Sequence, residues 1–344
     1  MSDATRETQD DLSPAGIVRL GVGFWGPKTL LSAVELGLFT ELAKGALDAA
    51  ALGSRLGLHE RAARDFFDTL VALGMLDRDA QGRYRNTAET DRFLDRAKPT
   101  YIGGLLEMAN ARLYRHWGGL TASLRTGRAQ GEGGEGGDFF AALYDDPGRL
   151  RMFLQAMTGL TMGTARAMAQ KFPWGERRRF FDVGCAQGCV PVQVALAHPH
   201  IEGGGFDLPQ VGPLFQEYVA GFGLKQRLTF RAGNFFADPL PEADVLAMGR
   251  ILHDWNLEEK KALLARAYAA LPPGGALIVY ESLIDDARRV NVFGLLMSLN
   301  MLVETPGGFD FTGADCCGWM RQVGFRKTSV EHLAGPDFMV VGTR

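Results

Sequence analysis

Three side chains, those of His253, Glu281 and Asp310, are of the types that carry out general acid–base chemistry. His253 follows an apolar run at residues 243–248 that predicts a strand, and Glu281 ends a second such run. The carboxyl ends of neighbouring parallel strands meet at the ligand-binding edge of a sheet. We therefore expect His253 and Glu281 to lie at that edge.

The chemistry that fits these residues is removal of a proton from a hydroxyl group. An imidazole with the ordinary pKa of about 6.5 can act as a general base towards a phenol, whose pKa is about 10. A carboxylate on the other ring nitrogen would hold the tautomer and stabilise the imidazolium. We predict that His253 is the base and that Glu281 and Asp310 assist it; the alternative for a lone histidine after a strand is a structural role.

A glycine turn between two predicted strands supplies a second candidate site. The strands are predicted at residues 180–183 and 203–206, with a helix at 190–197 between them. Gly184 and Gly188 would let a ligand approach the backbone, and Asp207, 25 positions after Asp182, could accept hydrogen bonds from ribose hydroxyls. This pattern predicts a nucleoside-cofactor site, although a turn that only packs the strand against the helix remains the alternative.

The residues of the turn indicate which nucleoside binds. A dinucleotide loop has the pattern GxGxxG, whereas Cys185, Ala186 and Gln187 separate the two glycines here. The turn opens with Asp182, which would repel a phosphate but suits a cationic ligand. S-adenosylmethionine carries an ammonium and a sulfonium, so we predict it as the cofactor.

The second half of the chain alternates predicted strands with predicted helices. Further strands are predicted at residues 228–231, 243–248 and 276–280, with helices at 210–222 and 257–271 and a final hairpin from strands at 327–332 and 338–342. This alternation predicts an α/β fold with an open, mostly parallel sheet and the ligand at the carboxyl ends of the strands.

The first hundred residues predict a mostly helical module. Helices are predicted at residues 29–36, 48–56 and 59–73, followed by a hairpin. This order is the winged-helix pattern, which raises DNA binding as a hypothesis. The longest of the helices mixes acids such as Asp65 with arginines such as Arg64, so it offers no continuous face to phosphates. We favour a packing and dimerisation module.

Composition restricts the class of protein further. The chain has 344 residues and a net charge of −3, which allows about two domains and gives no basic excess for nucleic acid. Its four cysteines lack the spacing of a zinc site and are read as free thiols. The polar N-terminus has no apolar signal core, and no long apolar span is present. We expect a cytoplasmic protein with no membrane, metal or nucleic-acid partner.

The chain contains the motifs MGRILHDW at residues 248–255, GNFF at 233–236 and SLNMLVETPGG at 298–308. These three motifs resemble those of the acetylserotonin and caffeate O-methyltransferase family. The resemblance implies an S-adenosylmethionine-dependent homodimer with a winged-helix-like dimerisation domain and a Rossmann-like catalytic domain. We place a disordered tail at residues 1–13, the dimerisation domain at 14–100, a helical linker with the substrate pocket at 101–170, and the catalytic domain at 171–344.

The resemblance, together with the glycine turn, assigns candidate site residues. His253 matches the catalytic base and Glu281 an acid beside it, while Asp310 stands where plant members have a glutamate. The predicted cofactor residues are Tyr144, Asp182, Gly184, Gly188, Asp207, Leu208, Asn234, Phe235 and Arg250. The predicted substrate residues are Met108, Asp254, Asn300 and Glu304.

The chain departs from the family pattern in two motifs. DVGCAQG stands for the usual DVGGGTG, and GNFF for GDFF, so Asn234 lacks a charge near the adenine and its contacts should be weaker or rearranged.

The leading prediction is methyl transfer to a hydroxyl, phenolic in kind, on a small specialised metabolite. One alternative is transfer to carbon or nitrogen, as in methylation of a 2-oxo acid with a metal on His253 and Glu304. The other is a catalytically silent cofactor binder or a DNA-binding protein.

Overall fold

The computed structural model describes residues 12–98, 100–130 and 144–344. The chain forms two compact units that divide between Ala111 and Arg112. The helical region predicted at residues 101–170 as a separate segment falls on both sides of this division. Most of the predicted disordered tail, and all of a glycine-rich stretch at residues 131–137, lie outside the described residues.

The first unit is mostly helical and carries a short hairpin. Its helices are Ala15–Gly21, Trp25–Glu35, Leu38–Leu42, Ala49–Arg55, Glu60–Ala72, Ala88–Leu94 and Gly103–Met108, and its hairpin pairs β1 (Leu76–Arg78) with β2 (Tyr84–Asn86). Asp48 caps the fourth of these helices by accepting a hydrogen bond from the Ala51 N–H at 2.8 Å. Phe39, Phe67 and Tyr84 are buried in its core. The helix, turn, helix and hairpin predicted from sequence are present.

The second unit is built on a seven-stranded sheet. In chain order its strands are β3 (Arg179–Val183), β4 (Glu202–Asp207), β5 (Leu228–Ala232), β6 (Val245–Gly249), β7 (Ala276–Glu281), β8 (Lys327–Ala334) and β9 (Asp337–Thr343). Across the sheet they lie in the order β5-β4-β3-β6-β7-β9-β8. Strands β3 to β7 are parallel, and the terminal hairpin of β8 and β9 joins β7 in the antiparallel sense. This topology confirms the predicted α/β class.

Helices cover the sheet and connect its strands. They are Tyr114–Trp117, Leu120–Thr126, Pro147–Lys171, Cys189–Ala197, Gly212–Gly221, Leu257–Ala270, Val292–Glu304 and Gly313–Gln322. The sequence does not predict a helix at Val292–Glu304, because this mostly apolar run lacks the continuous polar face by which an amphipathic helix is recognised. Within the described residues, no helix combines the length and apolarity that crossing a bilayer requires.

The central strand β6 shows why the sheet needs helices on both faces. All five of its residues are buried. Because side chains alternate along a strand, Val245 and Ala247 enter one apolar core, while Leu246 and Met248 enter the other. A strand that is apolar on both faces is stable only when both faces are covered. Because β3, β4, β6 and β7 are parallel, the loops that follow them meet at one edge of the sheet.

Candidate active site

The glycine turn lies directly after β3. Gly184 and Gly188 have φ angles of +75° and +89°, in the left-handed region that favours glycine. A Cβ on Gly184 would lie 2.3 Å from Cδ1 of Ile251, so a side chain there would have to displace Ile251. The turn therefore brings bare backbone to the edge of the sheet, as predicted from its glycines.

Asp207, the last residue of β4, ties this turn to the next strand. Its carboxylate accepts hydrogen bonds from the N–H of Ala186 at 3.0 Å and of Leu208 at 2.8 Å. The side chain of Tyr144 is also hydrogen-bonded to Asp207. Burial raises the pKa of Asp207 to about 6, against the effect of these donors. Tyr144, Asp207 and Leu208, three predicted cofactor residues, are thus brought together.

Asp182 lies inside β3 and is only 1% exposed. Its Oδ1 is buried and has no hydrogen-bond partner among the described residues. Burial, with a contribution from the charge of Asp207, raises the pKa of Asp182 well above its ordinary range, although a hydrogen bond from the Tyr280 side chain to this carboxylate opposes the shift. A buried carboxylate oxygen without a donor is costly, and a cationic ligand would supply the missing partner. The donor set at this turn therefore fits S-adenosylmethionine.

Arg250 follows β6 in a left-handed conformation, with φ at +54°. Its Nη2 lies 2.6 Å from Oδ2 of Asp337, the first residue of β9. Asp337 also accepts hydrogen bonds from Thr164 at 2.6 Å and from Ser282 at 2.5 Å. Nothing in the sequence singled out Asp337, because it lies far from Arg250 along the chain and outside every motif.

Asn234, which stands for the usual aspartate, is engaged in its own turn. Its Oδ1 accepts a hydrogen bond from the Phe236 N–H at 2.8 Å, and its N–H donates to Asp238 Oδ2 at 2.8 Å. The ring of Phe235 packs edge-on against Trp255, with 6.0 Å between centroids. The expectation that Asn234 changes the contact to adenine remains a prediction.

His253 lies in a short 3₁₀ turn, Leu252–Asp254, that follows β6. The side chain is buried, and its Nδ1 lies 3.3 Å from Asp310 Oδ1 and 3.8 Å from Glu281 Oε2. Its Nε2 lies 3.6 Å from Asp254 Oδ1. The three predicted catalytic residues are therefore in one cluster, with the predicted substrate residue Asp254 beside them.

Glu281 holds the turn that carries His253. Its Oε1 accepts hydrogen bonds from the N–H of Ile251 and of Leu252, each at 3.2 Å. Its Oε2 and Asp310 Oδ2 are both buried without a hydrogen-bond partner among the described residues. Two buried carboxylate oxygens thus remain available to a proton or a donor group next to the imidazole.

The electrostatics of this cluster correct one expectation. Burial opposes the imidazolium, but the charges of Glu281, Asp254 and Asp310 outweigh it and raise the pKa of His253 to about 10. The assumption of an ordinary imidazole is therefore wrong for the ligand-free protein. Burial also raises the pKa of Glu281 to about 7 and of Asp254 to about 6.

Glu304 is engaged away from this cluster. Its carboxylate forms an ion pair with Arg112 and lies 2.6 Å from His116 Nδ1. Among the described residues, one group could offer ligand atoms to a metal ion, with these atoms within 4.8 Å of one another: His253, Glu281 and Asp310. Glu304 does not belong to this group. A metal shared by His253 and Glu304, the alternative considered from sequence, gains no support from this arrangement.

The other predicted substrate residues divide between the two units. Asn300, on the helix Val292–Glu304, accepts a hydrogen bond from Trp117 Nε1 at 2.8 Å. Met108 ends the helix Gly103–Met108 in the first unit, and its assignment to the substrate stays a prediction. Sequence reasoning missed Arg112 and His116, whose partner Glu304 lies on a distant part of the chain.

Comparison with known proteins identifies two domains. Residues 117–326 match the family model of the O-methyltransferase domain, and residues 18–96 match that of the O-methyltransferase dimerisation domain. The tetracenomycin polyketide synthesis 8-O-methyl transferase TcmO of Streptomyces glaucescens is 43% identical over 96% of this chain and 97% of its own length. The N,N-dimethyltransferase OxyT of Streptomyces rimosus is 39% identical over 95% of this chain and 96% of its own.

The fold agrees with these sequence matches. Human N-acetylserotonin methyltransferase, solved in complex with S-adenosylmethionine, superposes with a TM-score of 0.89 at 29% identity and covers 99% of both chains. The cofactor of that structure is the one predicted from Asp182 and the glycine turn. The chain belongs to the S-adenosylmethionine-dependent O-methyltransferase family.

Proposed function

We propose that this enzyme methylates a phenolic hydroxyl of a small specialised metabolite and that His253 accepts the hydroxyl proton. The observation that carries the proposal is the buried imidazole between Asp310 and Glu281, which lies after the strand next to the glycine turn. Such a pair of carboxylates orients the ring and stabilises the charge that it gains.

The residues to which we assign the cofactor lie on β3 and β4. When bound, S-adenosylmethionine supplies an electrophilic methyl group on its sulfonium. We assign the ribose hydroxyls to Asp207, because its carboxylate ends β4 at the edge where nucleoside sugars bind. We assign the ammonium to Asp182, whose Oδ1 otherwise lacks a partner.

Proton transfer depends on the charge of His253. In the ligand-free protein the carboxylates keep its ring protonated at neutral pH, since its pKa is raised to about 10. A cationic ligand opposes that charge, so we expect the pKa of His253 to fall when the cofactor binds. His253 Nε2 can then accept a proton, while Nδ1 remains directed towards Asp310 Oδ1.

The named relatives support the acceptor class in part. The name of TcmO specifies an oxygen in a polyketide, whereas that of OxyT specifies a nitrogen. Nitrogen is therefore the second candidate acceptor. An amine attacks through its own lone pair, so N-methylation does not need a base before the methyl is transferred.

A paired assay separates these candidates. His253→Gln and, as a control on an exposed histidine, His200→Gln would be assayed with labelled methyl donor on polyphenol and aromatic-amine acceptors. We expect His253→Gln to lower kcat on phenols about 100-fold or more and His200→Gln to leave it unchanged. Equal turnover of His253→Gln and wild type on phenols would exclude His253 as the base. Turnover of amines alone would support N-methylation.

The first unit supports a homodimer. Ile17, Leu20 and Trp25, on its first two helices, are 79%, 83% and 62% exposed, which is unusual for apolar side chains that remain in water. They lie within or next to the stretch that matches the dimerisation domain. We propose that a second copy of the chain covers them. Sedimentation should show a dimer for wild type and a monomer for Leu20→Glu; a monomeric wild type at micromolar concentration would refute this.

A further inference from the structure

Lys260 is a charged residue with no exposed surface. It lies in the first turn of the helix Leu257–Ala270 and is 0% exposed. Within the described residues, no carboxylate oxygen lies within 4.0 Å of its Nζ, in contrast to the ion pair between Arg250 and Asp337. A buried ammonium without an ion-pair partner is costly, and the positive end of the helix dipole adds to that cost.

The Lys260 ammonium contacts two separate segments of the active site. It donates a hydrogen bond to the carbonyl of Trp255, the residue that ends the turn carrying His253. It also lies 3.5 Å from the ring centroid of Phe309 and 5.8 Å from that of Phe311, the residues on either side of Asp310. One side chain therefore joins the turn of His253 to the loop of Asp310.

The backbone shows that these two segments must stay close. A Cβ on Gly308 would lie 2.5 Å from the carbonyl oxygen of His253 and 2.8 Å from that of Asp254. The loop therefore passes against the turn with no room for a side chain. This contact leaves Asp310 at 3.3 Å from the imidazole, a distance that a small shift of the loop would break.

Charge supports the same conclusion. Burial lowers the pKa of Lys260 to about 8, although the carboxylates of Glu281, Asp310, Asp254 and Glu259 favour its charged form. The ammonium is thus one of the nearby positive charges, with those of Arg250 and Arg112, that oppose the acids around His253. Removing it would raise the proton affinity of the cluster.

We infer that Lys260 is a positioning residue for the methyl-transfer reaction: it clamps the Asp310 loop onto the His253 turn and supplies the positive charge that offsets the catalytic carboxylates. This inference rests on the proposed role of His253 as the base. Because Lys260 has no exposed surface, we assign it no contact with the acceptor.

Lys260→Met tests this inference, because methionine keeps the length and the apolar stem but loses the charge and the donors. Lys261→Met, on the next residue of the same helix, is the matched control. For Lys260→Met we expect kcat on the phenolic acceptor to fall about 10-fold or more and the rising limb of the pH profile of kcat/KM to move to higher pH. Lys260→Arg keeps the charge in a bulkier group, so it should retain more activity than Lys260→Met. The Kd for S-adenosylmethionine should stay within about twofold of wild type.

The outcomes separate this inference from the proposed function. Lower thermal stability of Lys260→Met with unchanged kcat and an unchanged pH profile would overturn it, because Lys260 would then only stabilise the fold. If Lys260→Met does not fold, Phe309→Leu removes the ring beneath the ammonium; a wild-type kcat for that variant would also overturn it. His253→Gln is assayed in parallel. If His253→Gln has full activity, both the role of His253 as the base and this inference are rejected. If His253→Gln is inactive while Lys260→Met keeps the kcat and pH profile of wild type, only this inference is rejected.

Discussion

Replacing Asp337 by alanine should be among the most destabilising single changes in the second unit. The Arg250–Asp337 pair is joined at 2.6 Å, and its side chains are only 9% and 4% exposed. Alanine would leave the guanidinium buried without its counter-charge and would remove the acceptor of Thr164 and Ser282. Breaking a buried pair by removing one partner costs about 3–5 kcal/mol.

Variants of the surrounding groups separate the cost of losing the charge of Asp337 from the cost of losing its hydrogen bonds. Thr164→Val and Ser282→Ala each remove one hydrogen bond and keep the ion pair, so each should cost about 1–2 kcal/mol. Asp337→Asn keeps an acceptor oxygen but loses the charge, so its cost in free energy of unfolding should lie between these values and that of Asp337→Ala. Glu331→Ala, on the exposed face of the same hairpin, is the control and should stay within about 0.5 kcal/mol of wild type.

Urea unfolding followed by tryptophan fluorescence measures this series. Four of the five tryptophans belong to the second unit, so the signal reports mainly its unfolding. A shift in the midpoint at constant slope gives the change in the free energy of unfolding. If Asp337→Ala costs no more than Ser282→Ala, the buried charge contributes nothing and the reasoning is refuted. The left-handed backbone of Arg250 would then be held by other contacts.

Three further results are expected. Asp310→Asn removes one of the carboxylates that raise the pKa of His253, so the rising limb of kcat/KM should move to lower pH; a shift to higher pH would contradict the electrostatic argument. Asp207→Ala should weaken S-adenosylmethionine binding about 10-fold or more in calorimetry, and equal affinity would place the ribose elsewhere. Gly184→Ala forces a Cβ to 2.3 Å from Ile251, so it should abolish cofactor binding and lower the thermal midpoint, while Gly175→Ala, in open space, should do neither.

Much of the fold could be predicted because its signals are local. Several strands of the sheet are short apolar runs, and the run at residues 243–248 corresponds to Val245–Gly249, in which every residue is buried. The turn at Gly184 and Gly188 was recognisable because only glycine readily adopts its backbone angles. The uniformly apolar helix Val292–Glu304 was not recognised, since helical periodicity is visible only when one face is polar.

The candidate site was predictable in its residue types but not in its energetics. His253, Glu281 and Asp310 were identified by type and by motif, and the structure brings them into one cluster. The pKa of His253 was misjudged, because burial and three carboxylates act through space and leave no trace in local sequence. The burial of Lys260 escaped notice for the same reason.

The sequence by itself determined the alternation of strands and helices, the glycine turn and the residue types of the active site, because each depends on neighbours within a few positions. The tertiary structure alone decided which distant groups meet. His253 and Asp310 are 57 positions apart, Arg250 and Asp337 are 87 apart, and His116 and Glu304 are 188 apart. Contacts at such separations follow from how strands, helices and loops pack in three dimensions, and the charge of a buried group follows from the contacts that surround it.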